Sequence, residues 1–212
     1  MQKGIFITVE GGEGAGKTTV VDRIERTLKD RNYQVLRTRE PGGVQLAEQI
    51  RDILLHTKHI EMDDRTEALL YAAARREHLV KKVLPAIEAG AVVLCDRFID
   101  SSLVYQGYAR GIGVEEVRSI NKFAVEHHMP DLTLYFDVSP EVGLARVQND
   151  QVRDWNRLDQ ETIDFHKKVE NGYQSLIETE GDRIRVIDAD QSVEDVFQQA
   201  LSIVEEFIKG VE

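Results

Sequence analysis

Apolar residues in this chain fall into short continuous runs, separated by longer stretches in which they recur every three or four positions. The runs Gly4–Glu10, Gln34–Arg39, Ala91–Asp96, Leu132–Val138 and Arg183–Ala189 read as buried parallel strands. Each is rich in Val, Ile, Leu or Phe, as strands covered by helices on both faces require. The stretches between them carry helical spacing, so the alternation predicts an α/β domain built on a five-stranded parallel sheet with helices on both faces. The clearest helix is the last. Val193, Val196, Phe197, Ala200, Leu201, Val204, Phe207 and Ile208 form a core-facing stripe. Asp63–Ala89 predicts one long helix or two, ending at Gly90. Asn149–Asn156 is polar and reads as a loop or flap. No repeat or linker interrupts the pattern, so 1–212 is read as one domain.

The first strand and the first helix, Thr19 to Asp30, flank Gly11-Gly12-Glu13-Gly14-Ala15-Gly16-Lys17-Thr18. This is the P-loop pattern G-x-x-x-x-G-K-[ST]. Glycine lets backbone N–H groups approach a phosphate chain closely, and the helix N-terminus behind them favours an anion. Gly11 to Thr19 are therefore the candidate triphosphate contacts, with Lys17 reaching the β- and γ-phosphates and the Thr18 hydroxyl on Mg²⁺.

Composition narrows the choice of partners. The chain has 212 residues, 42% hydrophobic and 31% charged, with a net charge of −11. A sequence-independent nucleic-acid binder needs a broad basic surface, so nucleic acid is not the expected partner. A small anion instead calls for arginines focused in one cleft. No apolar run approaches the roughly 18 residues of a membrane span. The N-terminal residues lead straight into a strand, which predicts no signal peptide. The lone Cys95 lies in an apolar run and reads as a core residue in a reducing compartment. His127 and His128 are expected on different helix faces, which argues against a shared metal.

Three P-loop classes compete. A GTPase should carry Asn-Lys-x-Asp and D-x-x-G. Asn121-Lys122-Phe123-Ala124 lacks the aspartate, and the second motif does not occur. A motor ATPase usually ends its third strand in an acidic pair, whereas this one ends in Asp96-Arg97. That pairing suits a small-molecule kinase, with Asp96 orienting Mg²⁺ or its water and Arg97 holding an acceptor phosphate.

Further segments carry a resemblance. They are Thr38-Arg39-Glu40-Pro41-Gly42-Gly43, Asp96-Arg97-Phe98 followed by Ser101-Ser102 and Tyr105-Gln106-Gly107, Pro130-Asp131-Leu132-Thr133, and Asn156-Arg157-Leu158-Asp159. With these the chain resembles bacterial thymidylate kinase from end to end. The resemblance implies transfer of the γ-phosphoryl of ATP to dTMP with Mg²⁺, in a cytoplasmic homodimer. The fold it implies is that of nucleoside monophosphate kinases with a mobile lid, here about 149–159.

It also implies residue roles. Lys17 would face the donor phosphates and Arg97 and Arg39 the acceptor phosphate, with Arg51 a weaker phosphate candidate; an ion pair with Asp96 is the plainer alternative for Arg97. Glu40 would fix its turn. Glu13 would look toward the dTMP sugar and phosphate, unless it is a solvated loop acid. Gly14 stands where some family members carry an ATP-clamping arginine, so the clamp would come from the lid, and an arginine placed at Gly14 in a double lid variant would restore activity in part. Arg153 and Arg157 are the candidates, with Arg146 an outsider, and Arg153 could instead pair with Asp150 or Asp154. Tyr71 would stack on the thymine, unless it is a core aromatic. Arg75 would donate to a thymine carbonyl, and Ser102 and Gln106 would make polar contacts near the base. Tyr105 would exclude a 2′-hydroxyl. The metal would sit with Thr18 and Asp96. A related nucleoside or nucleotide kinase with a different acceptor stays open as the alternative.

Overall fold

The computed structural model describes residues 4–149 and 157–211. Its centre is a parallel sheet of β1 (Ile5–Gly11), β2 (Val35–Arg39), β3 (Val92–Asp96), β4 (Leu132–Asp137) and β5 (Ile184–Asp188), in the order β2-β3-β1-β4-β5. The predicted strands are all present, with ends shifted by a residue or so. Uniform burial is not. Every residue of β1 is buried, as a central strand covered on both faces must be. The edge strands β2 and β5 keep exposed or half-buried positions, because each has only one neighbouring strand.

Helices cover both faces. On one side α1 (Lys17–Asp30) and α9 (Val193–Val211) pack Ile24, Leu28, Ala200 and Val204 against Ile7, Val9 and Leu134. The last helix keeps the predicted stripe, except that Val193 at its first turn is exposed. The other side carries α3 (Asp64–His78), α6 (Val114–Val125) and α8 (Ile163–Glu180) over Phe6, Val93 and Tyr135. Between β2 and α3 lies α2 (Gln45–Leu55), packed on α3. The segment predicted as one helix or two is α3, a π-helical turn Leu79–Val83, and α4 (Leu84–Glu88), stopping before Gly90 at φ 82°. Asp63 caps its start by accepting a bond from the Thr66 N–H at 3.0 Å. A short α5 (Ile99–Ser102) and a second π-helical turn, Leu103–Ala109, follow β3. The chain then passes through α7 (Pro140–Asn149), and a 3₁₀ turn, Arg157–Gln160, precedes α8.

Strand order decides where a ligand goes. The chain leaves β1 for β2 on one side of the sheet and reaches β4 on the other, so β1 and β3 bracket a switch point. Register pairs Val9 with Asp96, which brings the end of β3 alongside the P-loop at the carboxyl edge.

Candidate active site

The P-loop joins β1 to α1. Gly16 precedes the helix at φ 80°, no side chain caps the helix start, and its first turn holds no acid. The first-turn N–H groups are thus left for an anion. Lys17 is buried, and its Nζ donates to the carbonyls of Gly11 at 3.0 Å and Gly12 at 2.8 Å. Burial, reinforced by nearby Arg97, lowers its pKa to about 8.

Arg97 follows β3 in the left-handed region at φ 67°. Its own N–H donates to Val9 O at 2.9 Å, and Phe98 N donates to the Glu10 carboxylate at 2.7 Å. These bonds hold the turn so that the guanidinium reaches Gly11 O at 3.1 Å, Ser101 Oγ at 3.2 Å and Glu13 at 2.6 Å. It also lies over the Tyr105 ring, 5.1 Å from its centroid. Glu10 is the buried organiser beneath, also accepting from Ser101 Oγ and Tyr173 OH. Burial, with Asp100 close by, pushes its pKa up to about 7.

Two clefts open on this core. The larger runs along the P-loop from Glu13 to Thr19 and is faced by Arg39, Arg51, His56, Asp96, Arg97 and Arg146. It is cationic against an acidic background, the focusing that an anion requires. The other is lined by Tyr71, Arg75, Ser101, Ser102, Tyr105 and Gln106, with Glu40, Pro41 and Leu158 completing the wall. Glu13, Arg51, Leu55 and Arg97 line both. Two buried oxygens around these clefts, Asp96 Oδ1 and Tyr105 Oη, have no hydrogen-bond partner among the described residues. Buried polar atoms are rarely left so without a ligand or water to meet them.

A model of the thymidylate kinase family matches residues 9–200. The chain belongs to the thymidylate kinase family. It is 67% identical over 201 residues to thymidylate kinase of Shouchella clausii strain KSM-K16, covering 95% of this chain and 94% of that one. Thymidylate kinase of Halalkalibacterium halodurans is 61% identical over 206 residues, covering 97% and 98%. The crystal structure of thymidylate kinase from Ehrlichia chaffeensis superposes with a TM-score of 0.76 at 30% identity, covering 95% of this chain and 98% of that one.

Within the chain the residues named from sequence separate. Glu13, Arg51, Tyr71, Arg75, Arg97, Ser102, Tyr105 and Gln106 lie together on the second cleft, and Gly14 to Thr19 on the first. Gly11 and Gly12 instead turn their carbonyls to Lys17. Arg39 lines the P-loop cleft, tied to Pro41 O at 2.8 Å and Glu48 at 3.0 Å. Arg75 is 2% exposed, and most of its donors are committed: Nε to Glu40, Nη1 to Ser102 and Asn121, Nη2 to Phe98 O. It braces the cavity wall as much as it faces the cavity.

Four expectations change. Arg39, expected at the acceptor phosphate, lines the P-loop cleft and not the second cleft, held there by Pro41 O and Glu48. Arg157 is buried, bonded through Nε to Leu54 O at 2.9 Å and ion-paired with Glu67, and it does not line the P-loop cleft. Arg146, the outsider, does line it. Arg153 and most of the expected lid lie outside the described residues. An arginine at Gly14 is not accommodated: the residue sits at φ 69°, and an added Cβ would stand 2.0 Å from the Gly143 carbonyl oxygen on α7. His127 and His128 follow the end of α6 instead of lying on it. Their rings stack 4.1 Å apart, and with Glu126 they form a group of metal-capable side chains.

Sequence reading passed over Glu10, Glu67 and Tyr173. The only signal at Glu10 was an acid closing an apolar run just before the P-loop. Glu67 carried none, since its partners lie 39 or more positions away.

Proposed function

We propose that the P-loop cleft takes ATP and the second cleft takes dTMP, with the phosphoryl group crossing where the two clefts meet. The enzyme phosphorylates dTMP to dTDP. The observation carrying this reading is the shared wall of Glu13, Arg51 and Arg97, which puts two cations at the junction of the two clefts. The bond between the bridging β–γ oxygen and the γ-phosphorus breaks, and a phosphate oxygen of dTMP takes the phosphorus. The acceptor oxygen is already ionised, so catalysis is positioning and charge neutralisation of a loose transition state.

Lys17 and the first-turn N–H groups of α1 neutralise the donor, Arg97 and Arg51 the transferring and acceptor groups. Thr18 and Asp96 would hold Mg²⁺, which supplies charge neutralisation on the β- and γ-phosphates; the unpartnered Asp96 Oδ1 fits that role. Glu13 fixes Arg97 and faces the acceptor. Tyr71 stacks on the thymine, Arg75, Ser102 and Gln106 present its polar contacts, and Tyr105 crowds C2′ so that deoxyribose is favoured. Arg39 approaches from the donor side. Arg146 and Arg153 are the clamp candidates in place of Arg157.

Separate clefts make the assignment testable. Tyr71→Ala should raise KM for dTMP at least about five-fold and leave KM for ATP within about two-fold, the stacking being worth on the order of 1–3 kcal/mol. Arg146→Ala should do the reverse. Faster turnover of UMP, CMP or AMP than of dTMP by the wild-type enzyme would instead favour a related kinase with a different acceptor.

No helix of the described residues is long and apolar enough to cross a membrane. We place the enzyme in the cytoplasm as a homodimer. Leu46 and Ile53 on α2, Leu69 on α3 and Phe123 on α6 are 50%, 45%, 56% and 90% exposed, and α2 and α6 both pack on α3. Large exposed apolar side chains on helices that pack side by side suit an isologous interface. Sedimentation equilibrium should find a dimer that Leu69→Glu converts to monomer; a monomeric wild type rejects the interface.

A further inference from the structure

Glu67 has no contact with either phosphate region, yet it is fully buried beside the second cleft. Its Oε1 accepts from Gln106 Nε2 at 2.8 Å and lies 3.5 Å from Arg110 Nε. Its Oε2 is ion-paired with Arg157 and lies 3.4 Å from Arg110 Nη2. Arg110 in turn is held by Glu161 at 2.5 Å. A carboxylate gripped by two guanidinium groups is an acceptor only. A glutamine side chain has one donor end and one acceptor end. The Gln106 amide is therefore not free to flip: its NH₂ must face Glu67, which leaves its carbonyl oxygen as the group offered to the cleft that Gln106 lines.

We infer that Glu67 is a positioning residue for base selection, locking Gln106 as a hydrogen-bond acceptor toward a pyrimidine that carries N3–H. Thymine presents a donor at N3. Cytosine presents a lone pair there, which an oriented carbonyl repels. A glutamine able to flip would turn its NH₂ to cytosine and lose most of this discrimination. Burial magnifies the effect, because a mismatched polar pair in a dry site leaves both groups unsatisfied. The inference rests on Gln106 reading the base.

The test is kcat/KM for dTMP and dCMP in the wild type, Glu67→Gln, Glu67→Asp, Gln106→Leu and the Glu67→Gln/Gln106→Leu double variant. Glu67→Gln can accept or donate and so frees the amide. Glu67→Asp keeps the charge opposite Arg110 and Arg157 while drawing it back from Gln106, and serves if the neutral variant fails to fold. The expected result is a dTMP-to-dCMP preference reduced about ten-fold or more in each single variant, with KM for ATP within about two-fold. The double variant should lose no more preference than Gln106→Leu alone. Equal losses on both substrates, with the preference intact in the Glu67 variants, would mean that Glu67 only holds the fold. A preference unchanged by Gln106→Leu would remove Gln106 as the base reader, and the inference with it.

Discussion

Replacing Lys17 with alanine is expected to lower kcat on the order of 10³-fold, the scale on which preorganised charge acts in phosphoryl transfer. The structure adds a pH signature to that expectation. The ammonium is buried on two P-loop carbonyls, and burial brings its pKa from 10.5 to about 8. Below about pH 8 the unliganded enzyme holds a charged, poorly solvated lysine that the phosphates of ATP then neutralise. Above it the free enzyme loses the proton, so kcat/KM for ATP should fall about ten-fold per pH unit. The linkage to stability has the opposite sign. Between pH 8 and 10.5 the unfolded chain binds more protons than the folded one, so this group alone raises stability with pH, by about 3 kcal/mol across the window. Activity and stability therefore diverge on the alkaline side. Steady-state kinetics and thermal melts over pH 7–10.5 check both; a flat kcat/KM for ATP to pH 10 would refute the buried-lysine account.

What could be read from sequence follows from how local each constraint is. The P-loop is local: eight consecutive residues must bend around an anion, and glycine at fixed spacing records that need. The sheet was legible because strands buried on both faces have to be continuously apolar, as β1 is, and the edges blurred where that condition lapses. Arg97 stood out because it directly follows the apolar run of β3. Arg157 shows the limit. From sequence it is one charge near a polar flap, and only the fold reveals Leu54 O and Glu67 as its partners. Glu67 itself was silent, since a buried acid on a helix is visible only through the distant groups that compensate it. Gly14 carries a similar lesson. Its lack of a side chain invited an arginine, yet the backbone of α7 occupies the space, so the glycine records a close approach between two segments.

Arg97 carries the second large effect, and two substitutions separate its two roles. Both Arg97→Ala and Arg97→Gly remove the guanidinium that reaches Glu13, Ser101 and Gly11, and both should lower kcat on the order of 10³-fold. The two variants differ in the backbone. At φ 67° an alanine keeps the steric penalty of a left-handed residue, whereas glycine relieves it. The glycine variant should therefore be more stable than the alanine variant by about 1 kcal/mol, seen as a higher denaturation midpoint with the same slope. The strain is sustained by two bonds on either side of the residue, Arg97 N to Val9 O and Phe98 N to Glu10. Arg97→Lys should recover little activity, because a single ammonium cannot meet Glu13, the Gly11 carbonyl and a phosphate in the planar fork that guanidinium provides. Equal stability of the alanine and glycine variants would show that the left-handed turn stores nothing. Near-wild-type kcat in the lysine variant would reduce Arg97 to a point charge. If both differences appear, the turn after β3 is strained in order to aim one side chain at the junction of the two nucleotide clefts.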